Sequence, residues 1–119
     1  MPPLTRSAVA ADWPQWRGPD LNGVSAETGL PRAWSPTEGI AWKLPMPSRS
    51  GATPIVWGDL VFLNVATEEF TGGLELWAVD RNTQKVAWKK PIAGGNKQGR
   101  KQNMSSPSPV TDGRTVWVM

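Results

Sequence analysis

The stretch SGATPIVWGDLVFL at residues 50–63 returns in altered form as SSPSPVTDGRTVWV at residues 105–118. Each copy has a proline before a short apolar run, then a glycine-containing turn, then a second apolar run. A Gly-Asp or Asp-Gly pair between two such runs predicts a tight β-hairpin. In this alignment the second copy carries one additional residue after its turn. The chain is therefore expected to contain two related hairpins.

A second motif is repeated alongside the hairpins. The sequence AWKLP at residues 41–45 recurs as AWKKP at residues 87–91, which is 46 residues later. Units of about 40–50 residues that contain four strands are typical of β-propeller blades. The strands predicted for the first unit span residues 54–56, 60–66, 74–79 and 85–90, the last with Val86 and Trp88 on one face. The expected fold is all-β, with four-stranded antiparallel blades of an incomplete propeller, one blade full and the next begun.

The remaining sequence divides into three further parts. Residues 1–11 end in small side chains before Asp12, which is typical of the end of a secretory signal peptide. No apolar region precedes them, so they are interpreted as the remnant of a signal peptide, which predicts a protein exported to the periplasm or secreted. A chance match in an Ala-rich segment is the alternative. Residues 12–39 form a Trp- and Pro-rich leader, expected to be irregular and to bury Trp13, Trp16 and Trp34. Residues 40–119 hold the repeats: blade one at about 40–91, an inserted loop at 92–104 and the start of blade two at 105–119.

The number of repeats sets an expectation about the whole protein. Closed propellers need about four to eight blades, and two copies of a unit cannot form a ring. The chain is therefore expected to be an N-terminal fragment whose first partners are the remaining blades of the same protein.

Composition excludes several classes of site. The chain has no Cys and no His, which excludes Cys/His zinc sites, Cys nucleophiles and His-based triads. No apolar run approaches the roughly 20 residues of a membrane-spanning helix, and no nucleotide-binding spacing occurs. Glu68 and Glu69 are merely adjacent. We therefore predict no catalytic residue, no metal ligand, no nucleic-acid partner and no transmembrane segment.

Basic residues are concentrated in the last third of the chain. Residues 81–119 contain eight Lys and Arg and the single acid Asp112, whereas residues 1–80 contain five basic and nine acidic side chains. The polar insertion at 94–103 is the candidate binding loop, with Lys97, Arg100, Lys101 and Asn103. Such a loop could hold a protein partner or a small anionic ligand through a carboxylate or phosphate. A solvated loop without a ligand is the alternative.

Four residues carry a resemblance to a known family. Ala78, Asp80, Thr83 and Trp88 match the spacing of the PQQ-like (quinoprotein-type) repeat, usually written A-x-D-x-x-T-G-x-x-x-W, with Gln84 in place of the glycine. The runs at 12–19 and 103–113 are also similar to secreted members of this family. The resemblance implies that the tryptophan packs against the neighbouring blade and that the Asp–Thr turn joins the last two strands.

The family resemblance leaves two functions open. Some members are scaffold proteins without a cofactor, which implies a non-catalytic binding or scaffold module here. Others are dehydrogenases that oxidise alcohols or sugars with pyrroloquinoline quinone (PQQ) and calcium, which would make this chain the opening portion of such an enzyme. No cofactor is expected for this chain itself. Asp80, Asn82 and Thr83 resemble half of a calcium loop, but no later Glu completes it, so turn capping is expected.

Overall fold

The computed structural model describes residues 11–69, 72–96 and 104–119, and the regular elements in these ranges are all β-strands. They are β1 Ile55–Trp57, β2 Leu60–Ala66, β3 Gly73–Asp80, β4 Lys85–Gly94, β5 Val110–Thr111 and β6 Val116–Trp117. β1 to β4 form one antiparallel sheet in that order, called unit 1 below, and β5 pairs with β6 in a second sheet, unit 2. The all-β fold and the four-stranded antiparallel sheet are confirmed. Within the described ranges neither sheet closes on itself, and no helix could span a membrane.

The strand positions follow the apolar runs of the sequence. β2 has the predicted bounds because its residues are apolar on both faces except for Asn64. β3 extends the prediction by one residue at each end, and β4 continues to Gly94, past its predicted end. Residues 40–54 form no strand, so the first AWKLP copy, including Trp42, differs from its strand-forming repeat at residues 87–91.

A β-bulge changes which side chains share a face of β4. The register shifts between Ala78 and Val79, so that Ala78 is paired with Trp88 whereas Val79 is paired with Val86. Ala78 and Val79 lie on opposite faces of β3 because side chains alternate along a strand. The prediction that Val86 and Trp88 share a face is therefore wrong, since an unpaired residue between them reverses the alternation.

A buried apolar cluster lies between the two units. Ile55, Phe62, Leu76 and Ala78 form a buried cluster on one face of unit 1, which we call the covered face. Trp88 packs on this cluster, with its ring centroid 5.9 Å from that of Phe62. Val116 and Val118 of the second hairpin pack on the same cluster from the other side. Unit 2 therefore lies face to face on unit 1.

The two hairpins have the same pairing register. Val56 is paired with Val61 in unit 1, and Thr111 is paired with Val116 in unit 2. Each residue of the second pair lies 55 residues after its counterpart in the first pair. The prediction of one added residue in the second copy is therefore wrong. The second hairpin instead opens its two-residue turn into a four-residue loop, in which the Asp112 side chain accepts backbone hydrogen bonds.

The leader is irregular, as predicted, but it buries less than expected. Trp13 is half-buried and packs on Gly18, whereas Trp16 and Trp34 are 65% and 72% exposed. Among its described residues, Trp13 and Pro14 bond to the strands, and Asp12 bonds to the β1–β2 turn. The rest closes local turns, such as those in which Gly18 and Gly23 donate to Gln15 and Arg17. The predicted burial of Trp16 and Trp34 is therefore wrong.

The β3–β4 turn contains a residue in an unfavourable conformation. Gln84 has φ of 64°, a left-handed conformation that costs a non-glycine residue about 1–2 kcal/mol. This is the position at which the resembling repeat family has glycine. We expect Gln84→Gly to raise the free energy of unfolding by about 1 kcal/mol in urea denaturation. Thr83→Gly in the same turn is the matched control and should lower it, because Thr83 does not have a positive φ. Equal effects of the two variants would contradict this explanation.

Candidate functional site

The junction between the units joins residues that occupy the same position in the repeat. Ser50 Oγ donates to the carbonyl oxygen of Ser105 over 2.9 Å, and the backbone N–H of Thr53 donates to Ser108 Oγ over 2.8 Å. Each pair is separated by 55 residues, the separation that also relates the two hairpins. Equivalent residues of the two repeats therefore contact each other at this junction.

The leader joins the first strands of both units. Trp13 exchanges two backbone hydrogen bonds with Val56 of β1, at 2.8 and 2.9 Å, and the carbonyl of Pro14 accepts from the N–H of Thr111 of β5 at 2.9 Å. Val56 and Thr111 are equivalent positions of the repeat. Asp12 Oδ1 accepts a further hydrogen bond from Gly58 N at 2.7 Å. Residues 12–14 thus act as a short connecting segment between the units.

Asn64 supplies a buried polar contact between the units. Its Nδ2 donates to the carbonyl of Pro107, and its Oδ1 has no partner among the described residues. Ser48 Oγ is also buried and unpartnered in the described part of the chain. Both residues line a cavity of about 320 Å³ whose walls include Met46, Leu63 and Val65. The cavity combines apolar walls with a small number of polar atoms.

The four motif residues have structural positions. Ala78 is fully buried in the covered face, and Trp88 packs beside it. Asp80 Oδ1 accepts from the backbone N–H groups of Asn82 at 2.8 Å and Thr83 at 3.1 Å. This is a turn-capping arrangement, in which one of the two carboxylate oxygens is engaged by the backbone. Within the described ranges, no group of three carboxylates could hold a metal ion.

The base of the candidate binding loop is held by Asn96. The loop residues Lys97, Arg100, Lys101 and Asn103 lie outside the described residues, whereas Asn96 is buried. Asn96 Nδ2 donates to the carbonyls of Glu68 and Glu69 at 3.0 and 3.1 Å, and its Oδ1 accepts from Met104 N at 3.3 Å. One side chain therefore connects both ends of the insertion to the β2–β3 connection.

The turn of the second hairpin is stabilised by Asp112. Backbone N–H groups of Thr115 and Arg114 donate to its carboxylate and hold its pKa below the ordinary value. A carboxylate with a lowered folded-state pKa contributes stability above its unfolded pKa of about 3.9, and this contribution is lost as the pH falls through the folded pKa. We therefore expect Asp112→Asn to reduce the loss of melting temperature between about pH 5 and pH 3, measured by tryptophan fluorescence. The same loss of melting temperature in the Asp112→Asn variant and in the unsubstituted protein would contradict this expectation.

Two site residues were not identified from the sequence. Asn64 had a usable signal, because it is the single polar residue of an apolar strand. Asn96 had none, since it follows two glycines in a polar stretch and two of its partners, Glu68 and Glu69, lie 28 and 27 residues away. Comparisons with family models, with curated proteins and with solved structures each find no match to this chain.

Proposed function

We propose that this chain is the N-terminal part of an exported PQQ-like β-propeller and acts as a non-catalytic binding or scaffold module. The observation that carries the proposal is the junction, at which equivalent residues of two successive units contact each other. Repeats that stack in this way build a rigid frame from which loops project. The four-residue motif at Ala78, Asp80, Thr83 and Trp88 supports the PQQ-like type.

The residues described support a module without a cofactor. Asp80 and Asp112 are engaged by the backbone of their own turns. The Trp77 ring is covered by Lys89, whose Nζ lies 3.9 Å from the ring centroid. These groups are therefore poorly suited to hold calcium or to stack on a quinone. The alternative, a portion of a PQQ-dependent dehydrogenase, needs a ligand set other than these residues.

A titration separates the two functions. The purified chain is titrated with PQQ in the presence of calcium chloride while tryptophan fluorescence is followed. We expect no saturable quenching in the micromolar range, with N-acetyltryptophanamide as the control for light absorption by the quinone. Saturable quenching above that control would support the dehydrogenase alternative.

The binding element of the proposed module is the basic insertion. Three cations within a few residues, Lys97, Arg100 and Lys101, attract an anionic partner through an interaction that salt weakens. Fluorescent poly-L-glutamate serves as the probe, and binding is followed by fluorescence anisotropy at low salt. Changing all three cations to glutamine should weaken binding about tenfold.

A control variant removes the same charge elsewhere in the basic part of the chain. Its substitutions are Arg81→Gln, Lys85→Gln and Lys90→Gln. This control should change binding less than about twofold if the insertion is the binding element. Equal losses in the two variants would show that only the net charge matters.

A further inference from the structure

The leader contains the one asparagine of the chain that is followed by glycine. Asn22 precedes Gly23, and both residues are exposed, whereas the other asparagines precede Val, Thr, Lys or Met. Glycine has no β-carbon to shield its backbone nitrogen, so this nitrogen can reach Cγ of the preceding asparagine side chain. The Asn22-Gly23 pair is therefore the position at which the sequence most favours deamidation.

Deamidation at this pair proceeds in two steps and needs water as its only co-reactant. The backbone nitrogen of Gly23 loses its proton to solvent and attacks Cγ of Asn22. A C–N bond forms, the Cγ–Nδ2 bond breaks, and ammonia leaves with a proton from solvent. Water then opens the resulting succinimide at either carbonyl, which leaves aspartate or isoaspartate at position 22. No group is oxidised or reduced.

The turn from Arg17 to Gly23 holds back the attacking nitrogen. The N–H of Gly23 donates to the carbonyl oxygen of Arg17 over 2.9 Å. Nη2 of Arg17 donates in return to the carbonyl oxygen of Asn22 over 3.4 Å. Because its proton is engaged by an acceptor, the Gly23 nitrogen becomes a nucleophile only after this part of the turn opens.

The asparagine side chain, by contrast, is already prepared for attack. Its Oδ1 accepts a hydrogen bond from the backbone N–H of Val24 at 2.9 Å. A donor at this oxygen stabilises the negative charge that forms there when Cγ is attacked. Release of the Gly23 N–H is therefore the step that the fold controls.

The turn rests on the ring of Trp13. A β-carbon built at Gly18 would lie within 2.9 Å of three ring carbons of Trp13, so the turn packs directly on the indole. Nε1 of Trp13 also donates to the carbonyl of Trp16 at 3.4 Å. Trp13 itself exchanges two backbone hydrogen bonds with Val56 of β1. The contact of the leader with the sheet thus supports the turn that protects Asn22.

We propose that Asn22 is a deamidation site whose rate is set by the docking of Trp13 on β1. The reaction is slow while the leader is docked and fast when it is released. Release leaves a permanent mark, because the product carries a new carboxylate at position 22. Isoaspartate also adds one carbon to the main chain, which changes the spacing that the hydrogen bond between Gly23 and Arg17 requires.

The test measures deamidation in the full chain. The purified protein is kept at mildly alkaline pH, either folded or in denaturing guanidinium chloride. Trypsin cleavage after Arg17 and Arg32 releases a peptide in which Asn22 is the only side-chain amide, so mass spectrometry assigns the conversion. Isoaspartate is measured with a protein isoaspartyl methyltransferase. We expect conversion to be about tenfold slower in the folded chain than in the denatured chain.

A pair of tryptophan variants tests the role of the docked leader. Trp13→Ala should accelerate conversion in the folded chain about fivefold, because the turn loses the ring on which it packs. Trp34→Ala is the matched control and should change the rate less than about twofold, since Trp34 is 72% exposed in the same leader. Asn22→Gln should abolish the conversion in every condition.

A glycine pair keeps the test decisive if Trp13→Ala unfolds the whole chain. Gly18 and Gly29 have φ of 77° and 73°, so alanine is strained equally at both positions. At Gly18 the added carbon also displaces the Trp13 ring, whereas at Gly29 it meets nothing within 4 Å. Gly18→Ala should therefore accelerate deamidation at least about threefold, and Gly29→Ala should leave the rate unchanged.

Each result decides for or against the proposal. Equal conversion in the folded and the denatured chain, or no conversion in either, would overturn it. Equal acceleration by Trp34→Ala and Trp13→Ala, or by Gly29→Ala and Gly18→Ala, would overturn the control by Trp13. Slow conversion in the folded chain that accelerates only in the Trp13→Ala and Gly18→Ala variants supports it. None of these outcomes affects the quinone or polyglutamate titrations.

Discussion

Gly113→Ala is expected to lower the free energy of unfolding by about 3 kcal/mol, measured by urea denaturation. Gly113 has φ of 89°, where an alanine is strained whatever the space around it. A β-carbon built there would clash with Cζ2 of the Trp57 indole ring. Either the backbone of the second hairpin or the indole ring must move, and the contact between Trp57 of unit 1 and the turn of unit 2 is lost.

The repeat supplies the matched control for this substitution. Gly58 is the equivalent residue of unit 1, with φ of 57° and nothing within 4 Å of a β-carbon. Gly58→Ala should therefore cost only the backbone strain, about 1 kcal/mol. When Trp57 is first replaced by alanine, Gly113→Ala should lower the free energy of unfolding by a similar amount, about 1 kcal/mol. If both glycine variants lose the same stability in the natural background, the indole contact contributes nothing.

Asn96→Ala is expected to lower the free energy of unfolding by about 3 kcal/mol, because three hydrogen bonds of a buried side chain are lost together. The donors and acceptors left behind are the backbone groups of Glu68, Glu69 and Met104. Limited proteolysis provides a second measurement. Cleavage after the basic residues at 97–101 by trypsin should accelerate in this variant, because the base of the insertion is released.

Two further variants define the effect of Asn96. Asn96→Asp keeps the size of the side chain but removes both N–H donors, so it should be as damaging as alanine. Asn82→Ala, in an exposed turn, should change stability by less than about 0.5 kcal/mol. Full stability of Asn96→Asp would mean that the two carbonyl contacts are not important.

Local sequence pattern was sufficient for most of the strands. β2 and the Asp80 turn were predicted correctly because their determinants, a continuous apolar run and a capping carboxylate, lie within a few residues of each other. Asp112 shows the limit of this reasoning. Its side chain satisfies the N–H groups of Arg114 and Thr115, and so widens a turn whose Asp-Gly sequence alone predicts two residues.

Features that depend on distant parts of the chain could not be predicted. The bulge of β4 depends on pairing with β3, and no residue type in the strand requires it. The exposure of Trp16 and Trp34 depends on how little of the leader finds a partner in the sheet. Asn96 is important only because Glu68, Glu69 and Met104 lie beside it in space.

The connecting segment of the leader, residues 12–14, has a kinetic consequence. Pro14 accepts its hydrogen bond from Thr111, so one of the first residues described bonds to one of the last. Contacts between such distant positions require closure of a long loop and slow the search for the native pairing. β1 to β4 pair locally and can form first during synthesis, whereas the segment around Trp13 completes its contacts only after β5 has been made. The hydrogen bond of Pro14 is therefore made later during synthesis than the pairing of Trp13 with Val56.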